Sequence, residues 1–177
     1  MLKIFTTQLS GIFTKIINNE EFQIEDGARL LAQAKFGDGS IYLHGVNEME
    51  AILIESSMGA EPLLHIKELP SINHFNSLNE TDRVLLITRF STDEAAINIA
   101  LALRKRGIPT VAICNVATPD NDEITLSNIV DIVIDTKLAK PLITNSDGKR
   151  FGFPTTMIAL FTYHALAYTM QEILDEY

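Results

Sequence analysis

One cysteine and no tryptophan in 177 residues leave several protein classes without their raw material. With Cys114 alone, neither an intrachain disulfide nor a cysteine-rich zinc site can form. Set in the apolar run Val111-Ala112-Ile113-Cys114, it reads as a small buried hydrophobe rather than a catalytic thiol. Positive charge is also scarce. Lys and Arg total 14 against 23 Asp and Glu, a formal net charge of −9. Such a chain lacks the cationic face that displaces counterions from nucleic-acid phosphates or settles on anionic lipid. No apolar run reaches the roughly 18 residues of a membrane span. The first twenty residues lack the progression of a signal peptide, and the expectation is a soluble, cytoplasmic protein. No Gly-x-Gly-x-x-Gly fingerprint and no Walker-type Lys-Ser/Thr pair occurs, which argues against dinucleotide and NTP chemistry.

What is present is an alternation of helical and strand patterns. The chain is expected to form one domain over 1–177, with N-terminal helices over 1–37, a parallel α/β core over 40–135 and a C-terminal helix over 154–174. Leu2, Phe5, Leu9, Ile12, Phe13, Ile16 and Ile17 recur at helical spacing and stop at Asn18-Asn19. Ile24, Ala28, Leu31 and Ala32 then predict a second helix. A first strand over Ser40–His44 runs into Gly45-Val46-Asn47, followed by a helix and a short strand around Leu63-Leu64. Val84-Leu85-Leu86-Ile87 is apolar throughout, as a strand covered on both faces should be. A hydroxyl-rich loop, a helix from Asp93 to Arg106, Gly107 and a strand over Thr110–Cys114 complete a βαβ unit. A strand over Ile129–Ile134 and a long helix from Thr155 close the chain. The fold class is α/β, about five parallel strands with helices on both faces.

In open parallel sheets ligands sit beyond the carboxyl ends of the strands. Gly45-Val46-Asn47-Glu48, Thr88 to Asp93, and Asn115 to Asp120 occupy that position. Thr88, Ser91 and Thr92 offer hydroxyls at a helix N-terminus, a setting for an anion, with Arg89 as a nearby cation. The competing reading is capping by Ser91 or Thr92, with Asp93 and Glu94 in the first turn; both acids repel an anion. Among the histidines, His44 ends a strand at the presumed mouth and His164 lies in the last helix; each reads first as a structural side chain and second as an acid–base group. Glu48, Glu50 and Glu55 follow the first strand, as solvated acids or as a base, and Lys149-Arg150 gives a local positive spot. Neither His-x-x-x-His nor Glu-x-x-His occurs, so no cofactor is expected and a divalent metal has no motif behind it.

The stretch Asp82-Arg83-Val84-Leu85-Leu86-Ile87-Thr88-Arg89-Phe90-Ser91-Thr92-Asp93-Glu94, continuing to Gly107-Ile108-Pro109-Thr110-Val111, resembles the central unit of the SIS (sugar isomerase) domain. Ser40-Ile41-Tyr42-Leu43-His44-Gly45 is similar to that domain's first strand and turn. By length and layout the chain resembles the phosphoheptose isomerase branch. The resemblance implies a three-layer αβα sandwich with a five-stranded parallel sheet in flavodoxin-like order, two leading helices and a long closing helix. It further implies a sugar phosphate or related carbohydrate derivative at the strand ends and a homodimer or homotetramer. Carried over position by position, Thr88 keeps the first hydroxyl of the loop, whereas Phe90, Ser91 and Asp93 depart from its pattern. Glu55 falls where that branch has a metal-binding His, Thr156 and His164 where it has a Gln and a His, and its catalytic Glu falls near Gly59 to Glu61. The resemblance thus nominates His164, Glu55 and Glu61 for catalysis, and Gly45, Asn47, Thr88, Arg89, Ser91 and Thr92 for ligand binding. It implies a phosphosugar isomerase-like protein, or a non-catalytic sugar-phosphate sensor with a degenerate site.

Overall fold

The computed structural model describes residues 1–63, 66–118 and 124–176. Five parallel strands, β1 (Ile41–Gly45), β2 (Ile66–Glu68), β3 (Arg83–Phe90), β4 (Thr110–Asn115) and β5 (Ile132–Asp135), form one sheet in the order β2-β1-β3-β4-β5. Helices α1 (Leu2–Phe36), α2 (Glu50–Met58) and α4 (Thr155–Asp175) cover one face, and α3 (Glu94–Lys105) covers the other. Strand alternation sorts the core. Leu43, Leu85, Ile87, Val111, Ile113 and Ile134 pack under α1 and α4. Val84, Leu86, Ala112 and Cys114 face α3, Phe75 and Leu126. The α/β class, the parallel sheet and its order are as the sequence predicts.

The leading segment differs from expectation: α1 is one helix, not two. Asn18 and Asn19 are weak helix formers, costing roughly 0.7 kcal/mol each relative to Ala. That cost is small beside the burial of Ile16, Ile24, Ala28 and Leu31 on the two sides of them. Glu20, only 6% exposed in the middle of α1, supplies a further tie. Its Oε2 accepts the Asp135 N–H at 3.0 Å, and its Oε1 lies 2.5 Å from Lys137 Nζ. Hydrogen bonds from Lys137 to Glu20 and Asp135 overcome the opposing effect of burial and raise its pKa.

Three smaller differences concern the ends of elements. The strand expected around Leu63-Leu64 lies at Ile66–Glu68; Leu64 and His65 fall outside the described residues. The last strand of the sheet starts at Ile132 rather than Ile129, because a 3-10 turn over Leu126–Asn128 with a Thr125–Asn128 capping box precedes it. A hairpin of β6 (Ile143–Thr144) and β7 (Arg150–Phe151) is an addition to the sequence reading. Lys149-Arg150, read as a positive spot, forms part of this hairpin, and Arg150 Nη1 donates to the Pro141 carbonyl at 3.1 Å.

Candidate functional site

The carboxyl edge is shaped by two local departures from regular structure. After β1, the chain folds back so tightly that a Cβ on Gly45 would lie 2.1 Å from the Met49 carbonyl oxygen. Only glycine fits there, and Asn47 follows with a left-handed φ of 55°. Gly45 therefore serves the turn by its lack of a side chain, and Asn47 is exposed beyond it. In β3 the pairing with β4 shifts register between Ile87 and Phe90, which releases Thr88 and Arg89 from the regular ladder.

The released segment is held by the chain's own acids. Asp93 is the N-cap residue of α3, but its carboxylate points back to the strand end. Asp93 Oδ2 accepts the Thr88 hydroxyl and, at 3.2 Å, the Phe90 N–H. Ser91 is fully buried and equally committed: its Oγ accepts the Ala117 N–H at 3.0 Å, its N–H donates to Asn115 and its carbonyl accepts the Leu126 N–H. Neither Ser91 nor Thr92 is the N-cap, and Thr92 is exposed. Of the third predicted segment, Pro119 and Asp120 lie outside the described residues.

Arg89 meets a second acid. Its Nε and Nη2 donate to the two oxygens of Glu48, each at 2.9 Å, and Thr155 Oγ1 donates to Glu48 Oε1 at 3.0 Å. Burial pushes the Glu48 carboxyl up, but the bonds from Arg89 and Thr155 and the adjacent positive charge outweigh it and hold the pKa below the usual range. This latch ties β3, the turn after β1 and the start of α4. Beside it opens a cleft of about 470 Å³, walled by Phe90, Phe153, Pro141 and Ala139. The Phe90 and Phe153 ring centroids lie 5.8 Å apart. A second recess, about 280 Å³, opens at the amino edge between Arg104 and Asp131, away from the strand ends where parallel sheets take ligands.

The predicted acid–base residues divide. Glu55 of α2 and His164 of α4 meet, with Oε1 3.8 Å from Nε2 and each side chain roughly two-fifths exposed (43% and 38%). Gly59 makes room for this: a Cβ there would lie 2.4 Å from the Glu55 carbonyl and 2.8 Å from Glu55 Oε1. The His164 ring also stacks on Tyr168 at 5.6 Å and tilts against Tyr163 at 5.3 Å. Burial, reinforced by the Glu55 charge, pushes the Tyr163 phenol up to about 12, so it remains protonated. Glu61 is exposed. His44 is half-buried on the α3 side, where burial lowers its pKa against the opposing pull of Glu50 and Glu68. His74 is exposed beside Ser71.

No group of three or more metal-ligating side chains converges among the described residues. Burial and nearby carboxylates raise the Cys114 pKa, in keeping with an inert core thiol. No described helix is long and apolar enough to cross a membrane.

Sequence reasoning missed the roles of Thr155 and Phe153, which no spacing rule couples to Glu48 and Phe90. The one available signal was that Thr155 opens a helix in a three-layer fold, at the level of the strand ends.

Comparison with known proteins places this geometry. The family model described as "Domain of unknown function (DUF2529)" matches residues 1–174. "Uncharacterized protein YwjG" of Bacillus subtilis (strain 168) is 42% identical over 177 residues, covering 100% of this chain and 99% of that protein. Among solved structures, phosphoheptose isomerase GmhA from Neisseria gonorrhoeae superposes with a TM-score of 0.62 at 13% identity, covering 98% of this chain and 99% of that one. The sugar isomerase domain of the RpiR transcription factor from Sphaerobacter thermophilus gives a TM-score of 0.57 at 13% identity, covering 99% and 98%. At such identities the likeness establishes the fold, which is that of the SIS domain.

Proposed function

The chain belongs to the family described as "Domain of unknown function (DUF2529)", and on that premise we propose that it is an isomerase-like protein that takes a carbohydrate derivative at the carboxyl edge of its sheet. The observation that carries this reading is the Glu55–His164 pair, 3.8 Å apart across α2 and α4. In aldose–ketose exchange a base removes the proton from the carbon beside the carbonyl, and an acid protonates the carbonyl oxygen. The proton then returns to the neighbouring carbon. A carboxylate and an imidazole in mutual reach supply those two roles, with Glu55 as the base at carbon and His164 as the group that moves the oxygen-bound proton.

The pair lies nine residues along α4 from Thr155, about 13 Å at the helical rise. A small sugar in the strand-end cleft of the same copy would not reach it. We therefore place the complete site between two copies in a homodimer or homotetramer. Ile54 at 61%, Met58 at 81% and Met157 at 49% exposure leave apolar surface beside the pair, which supports that assembly.

Incubation in D2O with aldoses, ketoses and their phosphate esters tests the reading, with NMR following exchange at the carbon beside the carbonyl. Exchange is expected with at least one sugar and should fall by about 100-fold or more in Glu55→Gln and His164→Ala. A second reading is a non-catalytic sensor, favoured by the Asp93 carboxylate held against Thr88 and Phe90. Binding of a sugar by the folded protein without any exchange would decide for it.

A further inference from the structure

Among the described residues, two groups of donors at the strand ends are already occupied by carboxylates of the chain itself. The Thr88 hydroxyl and the Phe90 N–H converge on Asp93 Oδ2. The Arg89 guanidinium and the Thr155 hydroxyl converge on Glu48. The two acids lie five residues and 41 residues from the groups they satisfy, Thr88 and Arg89, so one loop and one long-range contact arrive at the same solution.

An incoming anion would have to displace a tethered carboxylate and leave it charged beside the newcomer. Tethering makes that carboxylate a competitor of high effective concentration. Expelling it also places like charges side by side in a partly buried cleft. Glu48 and Asp93 thus act as internal anions.

What remains on offer suits a different ligand. A carboxylate has about four lone-pair sites and a guanidinium five N–H donors, more than the latch consumes. With their side chains 33% and 43% exposed, Glu48 and Arg89 present acceptors and donors to the cleft. A hydroxyl, which both donates and accepts, matches that pairing. Phe90, Phe153 and Pro141 supply an apolar wall against which the C–H face of a sugar can lie. About 470 Å³ lies within the range of small-molecule sites.

Resting on the carbohydrate reading given above, we infer that the strand-end cleft selects an uncharged carbohydrate and excludes sugar phosphates, because Asp93 and Glu48 occupy the Thr88, Phe90, Arg89 and Thr155 donors and hold two negative charges there.

Amide NMR of the intact chain tests this with pairs of probes, fructose against fructose 6-phosphate and arabinose against arabinose 5-phosphate, and with inorganic phosphate at fixed ionic strength. In the wild-type protein a neutral sugar should perturb Phe90 and Arg89 with an affinity at least tenfold above that of its phosphate ester, and inorganic phosphate should leave the Phe90 amide unmoved. Asp93→Ser, which keeps a good N-cap residue, should bind inorganic phosphate at least tenfold more tightly than wild type. Tighter binding of a phosphate ester than of its parent sugar by wild type would overturn the inference and leave the carbohydrate reading standing. An Asp93→Ser protein that folds and gains no phosphate affinity would overturn the role given to Asp93. If neither member of any pair perturbs the cleft, the carbohydrate reading falls and the inference with it.

Discussion

Gly59 shows how a residue without a side chain can control one that has chemistry. Its missing Cβ leaves the space through which Glu55 reaches His164, and the clash a methyl would meet involves backbone at 2.4 Å as well as the carboxylate at 2.8 Å. Gly59→Ala should therefore loosen the end of α2 and turn Glu55 away from His164. Thermal unfolding should register a loss of about 1–3 kcal/mol, typical of overpacking. Proton exchange on a sugar should fall as far as it does in Glu55→Gln. A Gly59→Ala protein as stable and as active as wild type would show that Glu55 needs no such space. Glu55 and His164 were nominated from a resemblance and from residue type. Gly59 could not be singled out in this role, because its importance lies in a contact between side chain and turn that no periodicity encodes.

At the scale of elements, α1 is the instructive case. Its two halves were legible as separate amphipathic stretches, and Asn18-Asn19 reads locally as a stop. The burial that carries the helix through comes from the sheet and from α4, which are distant in sequence. Glu20 is the clearest example: an acid in a helix reads as solvated, yet this one receives the Asp135 N–H and pairs with Lys137, whose φ of 57° bends the chain toward it. Glu20→Ala leaves the Asp135 N–H without its acceptor, a loss of about 1–3 kcal/mol, while Lys137 keeps Asp135 Oδ2 at 3.1 Å. Glu20→Ala should lose stability on that scale in urea unfolding. Its exposed neighbour Glu21 gives the control, with Glu21→Ala staying within about 0.5 kcal/mol of wild type. Equal effects from the two substitutions would mean that α1 continuity owes nothing to the ion pair. The βαβ unit, by contrast, was readable to within a residue or two at its helix. Continuous apolar strands and a Gly107 of φ 70° are local signals that tertiary packing merely reinforces.

For the molecule as a whole, the net charge of −9 opposes self-association, so any assembly must be driven by apolar surface. Such surface lies on α1, at Leu2, Ile4, Ile17, Phe22 and Phe36, as well as on α2 and α4, at Ile54, Met58 and Met157. The proposed assembly, in which one copy's acid–base pair meets the other copy's cleft, can be tested without knowing the natural ligand. His164→Ala keeps its cleft and loses the imidazole; Arg89→Ala keeps the pair and loses the latch. Each alone should be inactive in the exchange reaction. Mixed in equal amounts and allowed to exchange subunits, random pairing makes half the dimers mixed, each with one intact site of two. Activity should then recover to about a quarter of wild type. Recovery should vanish when Met58→Glu, introduced into both variants, prevents pairing. A mixture that stays inactive while the partners demonstrably exchange would confine the chemistry to a single copy and separate the Glu55–His164 pair from the cleft.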